Sequence, residues 1–224
     1  LEGHRFRVTH TDGHPLGEAY ETDTITLAPS ERIDAEIAAV GNAGRSYEIA
    51  SSRRDYGIVI PIVYGEGAVP VVRSPFVPPA SRALPGAAEK RPDFVLEFGT
   101  AMGGMMGGGG MMHGGMMHGG GTSGMMRWTI NGRSFPDTTP LDIETGRVVK
   151  MRFINNDMTA MMGHRMDHPI HLHGTYFQVV SVNGRPPVRE TWKDTVSVPN
   201  NEYVDIAFVM TNPGEWMLHC HIID

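Results

Sequence analysis

Apolar and polar residues alternate along most of this chain with the two-residue period of a half-buried strand. Phe6 and Val8 alternate with Arg5, Arg7 and Thr9, and Thr11-Asp12-Gly13 follows as a turn. Ile25 and Leu27 alternate with Thr24 and Thr26, and Ile33, Ala35, Ile37 and Ala39 alternate with Asp34 and Glu36. The apolar run from Ile58 to Val63 is broken by Pro61, which favours an edge strand or a bulge because proline cannot donate to the ladder. The pattern resumes after residue 127. Trp128 leads into the turn Asn131-Gly132, Arg147 to Ile154 alternates, and His171 to Val182 reads as a strand ending at Asn183-Gly184. Val204 to Met210 alternates again, and Trp216 to His221 is the last strand. No convincing helical period of 3.6 appears. Short strands at regular turn spacing predict an all-β chain of Greek-key β-sandwiches.

Two segments interrupt the alternation. Residues 70–92 carry Pro70, Pro75, Pro78, Pro79 and Pro85 and read as an extended linker. Residues 101–126 hold 12 Gly, 9 Met and 2 His among 26 positions, with the unit Met111-Met112-His113-Gly114-Gly115 repeated as Met116-Met117-His118-Gly119-Gly120. At about 1 kcal/mol per Gly relative to Ala, a helix there is disfavoured by roughly 10 kcal/mol. The organisation expected is a β unit over 1–95, a flexible Met/Gly/His-rich segment over 96–126 and a second β unit over 127–224.

Composition narrows the function. The chain has 224 residues, enough for two domains of roughly 100 residues each. A formal net charge of -6 without a long Lys/Arg run argues against a nucleic-acid surface. No apolar stretch reaches ~18 residues, so no membrane-spanning helix is expected. A single cysteine, Cys220, excludes an intrachain disulfide.

Candidate chemistry is concentrated in His168-Pro169-Ile170-His171-Leu172-His173-Gly174 and His219-Cys220-His221, which hold five of the 11 histidines and the only cysteine. Successive side chains on a strand point to opposite faces. His219 and His221 therefore share a face and Cys220 takes the other; His171 and His173 share a face and His168 has the opposite parity. The simplest packing gathers His171, His173, His219 and His221 into one cluster and brings His168 to Cys220 at a separate site. The Cys220 backbone would join the two. A thiolate with imidazoles is the ligand type of an electron-transferring copper, and an all-imidazole cluster suits copper, zinc or iron. A one-electron copper wired to a multi-histidine cluster is what four-electron reduction of dioxygen requires.

Plainer readings stand beside these. Cys220 could be a small buried hydrophobe. His4, His10 and His14 read as surface or satisfied polar residues. Asp167 and Asp194 are either surface carboxylates or groups that orient a ligand imidazole through its second nitrogen. The Met/Gly/His segment is either a linker without a role or an arm that collects Cu(I) through soft thioether sulfur, with Met111, Met112, His113, Met116, Met117 and His118 as its ligands.

The two motifs resemble the third and fourth copper motifs of the multicopper oxidases, a family that includes laccases and bacterial cuprous oxidases. Trp192-Lys193-Asp194-Thr195-Val196 and Asn212-Pro213-Gly214-Glu215-Trp216-Met217 are similar to segments of the family's last domain, and Pro29-Ser30-Glu31-Arg32-Ile33-Asp34 to a turn of its middle domain. The resemblance implies cupredoxin-like domains, with 1–95 the back part of a middle domain and 127–224 an incomplete last one. It implies that His168 and Cys220 bind type 1 copper, His171 type 2 copper, and His173, His219 and His221 the binuclear type 3 pair. It further implies oxidation of a substrate at type 1 copper coupled to reduction of dioxygen to water. Cu(I) or phenolic compounds are the expected donors, and the expected location is periplasmic or secreted. The family places a second type 1 histidine five residues after the cysteine, usually an axial Met ten after it, and two further His-X-His motifs in an N-terminal domain. On that reading both ends are truncations; the 224 residues alone are not expected to reduce dioxygen, whereas the intact protein is. The rival of a different class is a non-enzymatic copper-binding or copper-resistance protein. A nitrite reductase-like copper enzyme and a zinc hydrolase fit the joined Cys/His motif less well.

Overall fold

The structure is a computed structural model that describes residues 1, 3–52, 57–67, 75–102, 126–157 and 166–222. Strands β1 (Phe6–Thr11), β2 (His14–Thr22) and β3 (Ile33–Ile37) form a three-stranded antiparallel sheet in the order β2-β1-β3. The β1–β2 connection is the two-residue loop Asp12-Gly13, with φ of +48° and +81°, a hairpin turn whose twist matches the flanking strands. Phe6, Val8 and Leu16 form its small core. Among the described residues β4 (Ser46–Ala50) pairs only with β5 (Val59–Val63), so Pro61 sits on an edge strand, where its missing N–H costs no ladder bond. The alternation at Ile25 and Leu27 does not give a strand. Thr22 and Thr24 instead bond each other locally through hydroxyl and backbone, the competition with ladder formation that threonine offers. His4 is buried, with Nε2 at 2.7 Å from the Tyr64 hydroxyl.

The remaining strands are β6 (Phe94–Met102), β7 (Met126–Ile130), β8 (Val148–Asn155), β9 (His168–Leu172), β10 (Phe177–Val182), β11 (Trp192–Lys193), β12 (Thr195–Val198), β13 (Tyr203–Val209) and β14 (Leu218–Cys220). They make a six-stranded sheet, β11-β10-β13-β8-β6-β7, and a three-stranded sheet, β12-β9-β14. β6 runs parallel to β8 and the other pairs are antiparallel, so this sandwich is a Greek key rather than a meander. Its core interdigitates Leu96, Phe98, Val149, Met151, Phe153, Phe177, Ile206 and Phe208 from the large sheet with Ile170, Leu172, Val196 and Val198 from the small one. No helix occurs among the described residues, and no helix is long and apolar enough to cross a membrane.

Three expectations change. The run from His171 to Val182 divides between the two sheets, because Gly174 (φ +80°) turns the chain out of β9 and β10 starts at Phe177 on the other layer. Residues 75–92 do not stand clear of the second unit. Ala87 packs on Val180 and Ala207 at the outer face of the large sheet, Leu84 N–H donates to Gln178 Oε1, and Lys150 Nζ donates to the Ala88 carbonyl. This cover is why Asp205 and Lys150, on the face that alternation assigns to solvent, are 3% and 4% exposed. The division drawn at residue 95 also runs through β6: residues 96–102, assigned to the flexible segment, are strand, held by β7 and β8. By packing, residues 81–102 go with the second unit.

Candidate metal centre

The small sheet β12-β9-β14 carries every residue of the two histidine motifs that a strand can aim. In register, Thr195 and His219 flank His171, Val196 and Cys220 flank Ile170, and Leu218 lies opposite Leu172. Directly paired residues in an antiparallel ladder point to the same face. One face therefore presents His168, Ile170, Leu172, Leu218 and Cys220 to the sandwich core, and the other presents His171, His219 and Thr195.

On the second face four imidazoles converge. Ring centroids are 4.6 Å apart for His171 and His173, 5.2 Å for His173 and His219, 4.7 Å for His219 and His221 and 5.3 Å for His171 and His221. Nε2 of His173 and Nε2 of His219 approach to 3.1 Å. Ligand nitrogens of His171, His173 and His219 all lie within 4.8 Å of one another. Tautomers follow from fixed acceptors. His171 Nδ1 lies 2.9 Å from the Asp194 carbonyl and His219 Nδ1 lies 3.1 Å from the Cys220 carbonyl, and each must donate there, so that Nε2 is the ring nitrogen not engaged by the backbone. Partial burial, reinforced by His171 and His219, pulls the His173 pKa below its ordinary value, and burial with the other three rings does the same to His221. Neutral imidazole is the form that binds a metal.

On the core face, His168 is 2% exposed, and its Nδ1 lies 3.5 Å from Cys220 Sγ. The sulfur also accepts the Ile222 N–H at 3.4 Å. Phe98 on β6 stacks on the His168 ring and Trp128 on β7 meets it edge-on, at centroid distances of 6.2 and 5.2 Å. Burial lowers the His168 pKa, with the Asp157 charge opposing it. Asp157, also buried, holds Oδ2 at 3.3 Å from His168 Nε2, while Oδ1 accepts the Thr100 hydroxyl at 3.1 Å. A proton held on Nε2 by that carboxylate leaves Nδ1 as the lone pair facing the sulfur.

Of the two carboxylates singled out in the sequence, Asp194 lies against His171, with Oδ1 3.5 Å from Nδ1. Asp167 instead accepts the Asn200 N–H at 3.1 Å and reaches His168 only through its charge. The carboxylate on His168 is Asp157, eleven positions away in a polar run after β8, and nothing in that spacing announces it. Met111, Met112, His113, Met116, Met117 and His118 lie outside the described residues. Gly174, next to His173, has a structural reason to be glycine: a Cβ there would lie 2.4 Å from Trp216 Cδ2, whose ring is tied by Nε1–H to the Asn212 carbonyl at 2.8 Å. With the positive φ added, Gly174→Ala is expected to cost more than about 1 kcal/mol in a urea unfolding curve. An unchanged midpoint would show that Trp216 yields freely.

The donor set fits copper: a thiol and an imidazole meet on one face, and, among the described residues, a group of imidazoles meets on the other. A Greek-key sandwich with these donors on both faces of one sheet defines a cupredoxin-like metal protein. The comparisons agree. The model of the family described as multicopper oxidase matches residues 112–224. Multicopper oxidase MmcO of Mycobacterium tuberculosis is 32% identical over 221 residues, which is 99% of this chain and 40% of that protein. Copper resistance protein A of Escherichia coli is 32% identical over 96 residues, 43% of this chain and 14% of that protein. The crystal structure of a laccase from Pediococcus acidilactici superposes with a TM-score of 0.66 at 26% identity, over 97% of this chain and 41% of that one. This chain belongs to the multicopper oxidase family and spans about 40% of the length of the mycobacterial relative. Membership implies copper as the cofactor.

Proposed function

We propose that the protein carrying this chain is a copper-dependent oxidase that takes electrons singly from Cu(I) or a phenolic donor and passes them to dioxygen. The observation that carries the proposal is the division of donors along His219-Cys220-His221 at the end of β14, with Cys220 beside His168 on one side and its two neighbours among the imidazoles on the other. In this reading His168 and Cys220 hold type 1 copper, His171 type 2 copper, and His173, His219 and His221 the type 3 pair. When bound, copper supplies one-electron transfer at the thiolate site and four-electron reduction of dioxygen to water at the imidazole sites.

The chain's own residues prepare both sites. Phe98 and Trp128 pack on the His168 ring, Ile170 lies opposite Cys220 in the ladder, and Asp157 fixes the His168 tautomer. The backbone of His219-Cys220-His221 is a covalent path between the faces, shortened at the His219 end by the ring N–H that donates to the Cys220 carbonyl. The Asp194 carbonyl and Thr195 Oγ1, at 2.9 and 3.0 Å, hold the His171 ring.

Cu(I) is favoured as donor by the nine methionines of residues 101–126. The two strands that flank this segment, β6 and β7, are those whose Phe98 and Trp128 touch His168. The name of the Escherichia coli relative, a copper resistance protein, points the same way, and that of the Pediococcus laccase supports a phenol. Two cupredoxin-like units and a periplasmic or secreted location complete the reading.

The test is oxygen consumption by the copper-loaded full-length protein with Cu(I) and with a dimethoxyphenol. Four donor electrons consumed per dioxygen, with Cu(I) the faster donor, is the expected result. Stoichiometric copper binding with no uptake from either donor would pass the assignment to a non-enzymatic copper-binding protein, which the copper-resistance relative favours.

A further inference from the structure

The turn of the first β unit reaches the loop that holds His171. Asp12, in the β1–β2 turn, is 0% exposed and adopts a φ of +48°, a conformation uncommon outside glycine. Its carboxylate has a full set of donors. Oδ1 accepts the Arg32 N–H at 2.8 Å, and Oδ2 accepts the N–H groups of Asp194 and Thr195 at 3.1 and 3.2 Å, with Lys193 Nζ at 3.4 Å. Arg32 then grips the Asp194 side chain with both guanidinium arms, Nη1 to Oδ1 at 2.9 Å and Nη2 to Oδ2 at 2.5 Å. Thr195 Oγ1 donates to Asp194 Oδ1 at 2.8 Å, so toward His171 Nδ1 this hydroxyl can only accept. Asp12 thus fixes the backbone of Asp194 and Thr195, and Arg32 fixes the carboxylate that orients the threonine hydroxyl. Those groups are the ones that set the direction and tautomer of the His171 ring.

From this geometry we infer that Asp12 and Arg32 are positioning residues for the His171 metal site, so that the first β unit tunes copper binding on the second. The inference rests on the proposed copper sites. It concerns residues that touch neither the imidazoles nor a metal, and it makes contact across 162 to 183 positions of sequence part of the site.

Asp12→Asn must turn an amide N–H toward backbone N–H donors on one side or the other, orphaning at least one of them. Arg32→Lys removes the two-armed grip and leaves the charge; the Arg32 side chain is 48% exposed, so this change does not threaten the core. The experiment titrates Cu(II) into the metal-free full-length protein and its two variants. It reads dissociation constants, the EPR hyperfine pattern of copper on the imidazole face, the visible thiolate band of Cys220, and the urea midpoint. Expected are affinity for imidazole-bound Cu(II) weaker by about 10- to 100-fold and an altered hyperfine pattern. The thiolate band should stay unchanged, and Arg32→Lys should keep its urea midpoint. If Asp12→Asn does not fold, Arg32→Lys decides alone. A folded Arg32→Lys variant with parental affinity and hyperfine pattern overturns the inference. So does an equal loss at both sites with a lowered midpoint, which marks a purely structural contact. A parent protein that binds no Cu(II) at the imidazoles overturns the functional reading itself, and the inference with it.

Discussion

In the copper-loaded full-length protein, Cys220→Ser is expected to abolish the visible thiolate absorption and bring oxygen uptake to background, while the imidazole face still binds copper. Serine keeps the size and direction of the side chain, and β14 keeps its pairing with β9, so the sandwich is not disturbed. The donor changes from a soft, ionisable sulfur to a hydroxyl that does not ionise near neutral pH, and the site facing His168 Nδ1 loses the ligand that defines an electron-transferring copper. The links to His219 and His221 remain but have no redox centre at their start. Absorbance, copper stoichiometry and an oxygen electrode check this together. Turnover at more than background with the band gone would mean that electrons enter elsewhere, and the role given to Cys220 would fall.

Asp205→Ala is expected to destabilise the second unit by about 3–5 kcal/mol, the range for breaking one half of a buried ion pair. The carboxylate receives Arg152 Nε and Nη2 at 2.7 and 2.9 Å and the Ser181 hydroxyl at 3.1 Å, with Lys150 Nζ at 3.7 Å. Lys150 is 4% exposed under the 84–90 segment, so its charge would stay buried beside a lost partner. Burial alone would raise the Asp205 pKa, but the Arg152 hydrogen bonds and charge, together with Lys150 and Ser181, outweigh it and leave the carboxyl below its ordinary 3.8. A depressed folded pKa gives stability that is present in full above the unfolded value and is lost as pH falls through the folded one. The gap between parent and variant in urea unfolding should therefore be constant above about pH 5 and narrow below about pH 4. A gap that persists undiminished toward pH 2 would assign the loss to packing instead of charge. Replacing Lys150 by Met and Asp205 by Leu together should recover part of the stability, because the buried Lys150 charge is then not left alone, while Arg152, 31% exposed, still loses its carboxylate.

The outer face of the large sheet shows where alternation misleads. Lys150 and Asp205 occupy the polar positions of β8 and β13, and alternation assigns them to solvent. They are buried because residues 84–90 return across that face. Proline content was a sound reason to expect extended chain there, but it carries no information on what an extended chain lies against. The same limit applies to β6. Its pairing with β8 is parallel and long-range, and the low-complexity run beside it obscures where the strand ends.

The sequence by itself determined the all-β class, the hairpin turns at Asp12-Gly13, Asn131-Gly132 and Asn183-Gly184, and the sorting of His168 and Cys220 from the other four histidines. Each of these depends on backbone preferences that act over two or three residues: positive φ at Asn, Asp and Gly, and the alternating direction of strand side chains. Only the tertiary structure decided that β9 and β10 lie in different layers, that Asp157 and not Asp167 faces His168, and that Asp12 and Arg32 brace Asp194. Those contacts join segments up to 183 residues apart, and they form because a buried carboxylate must find its donors wherever packing brings them, a requirement that leaves no period in the sequence.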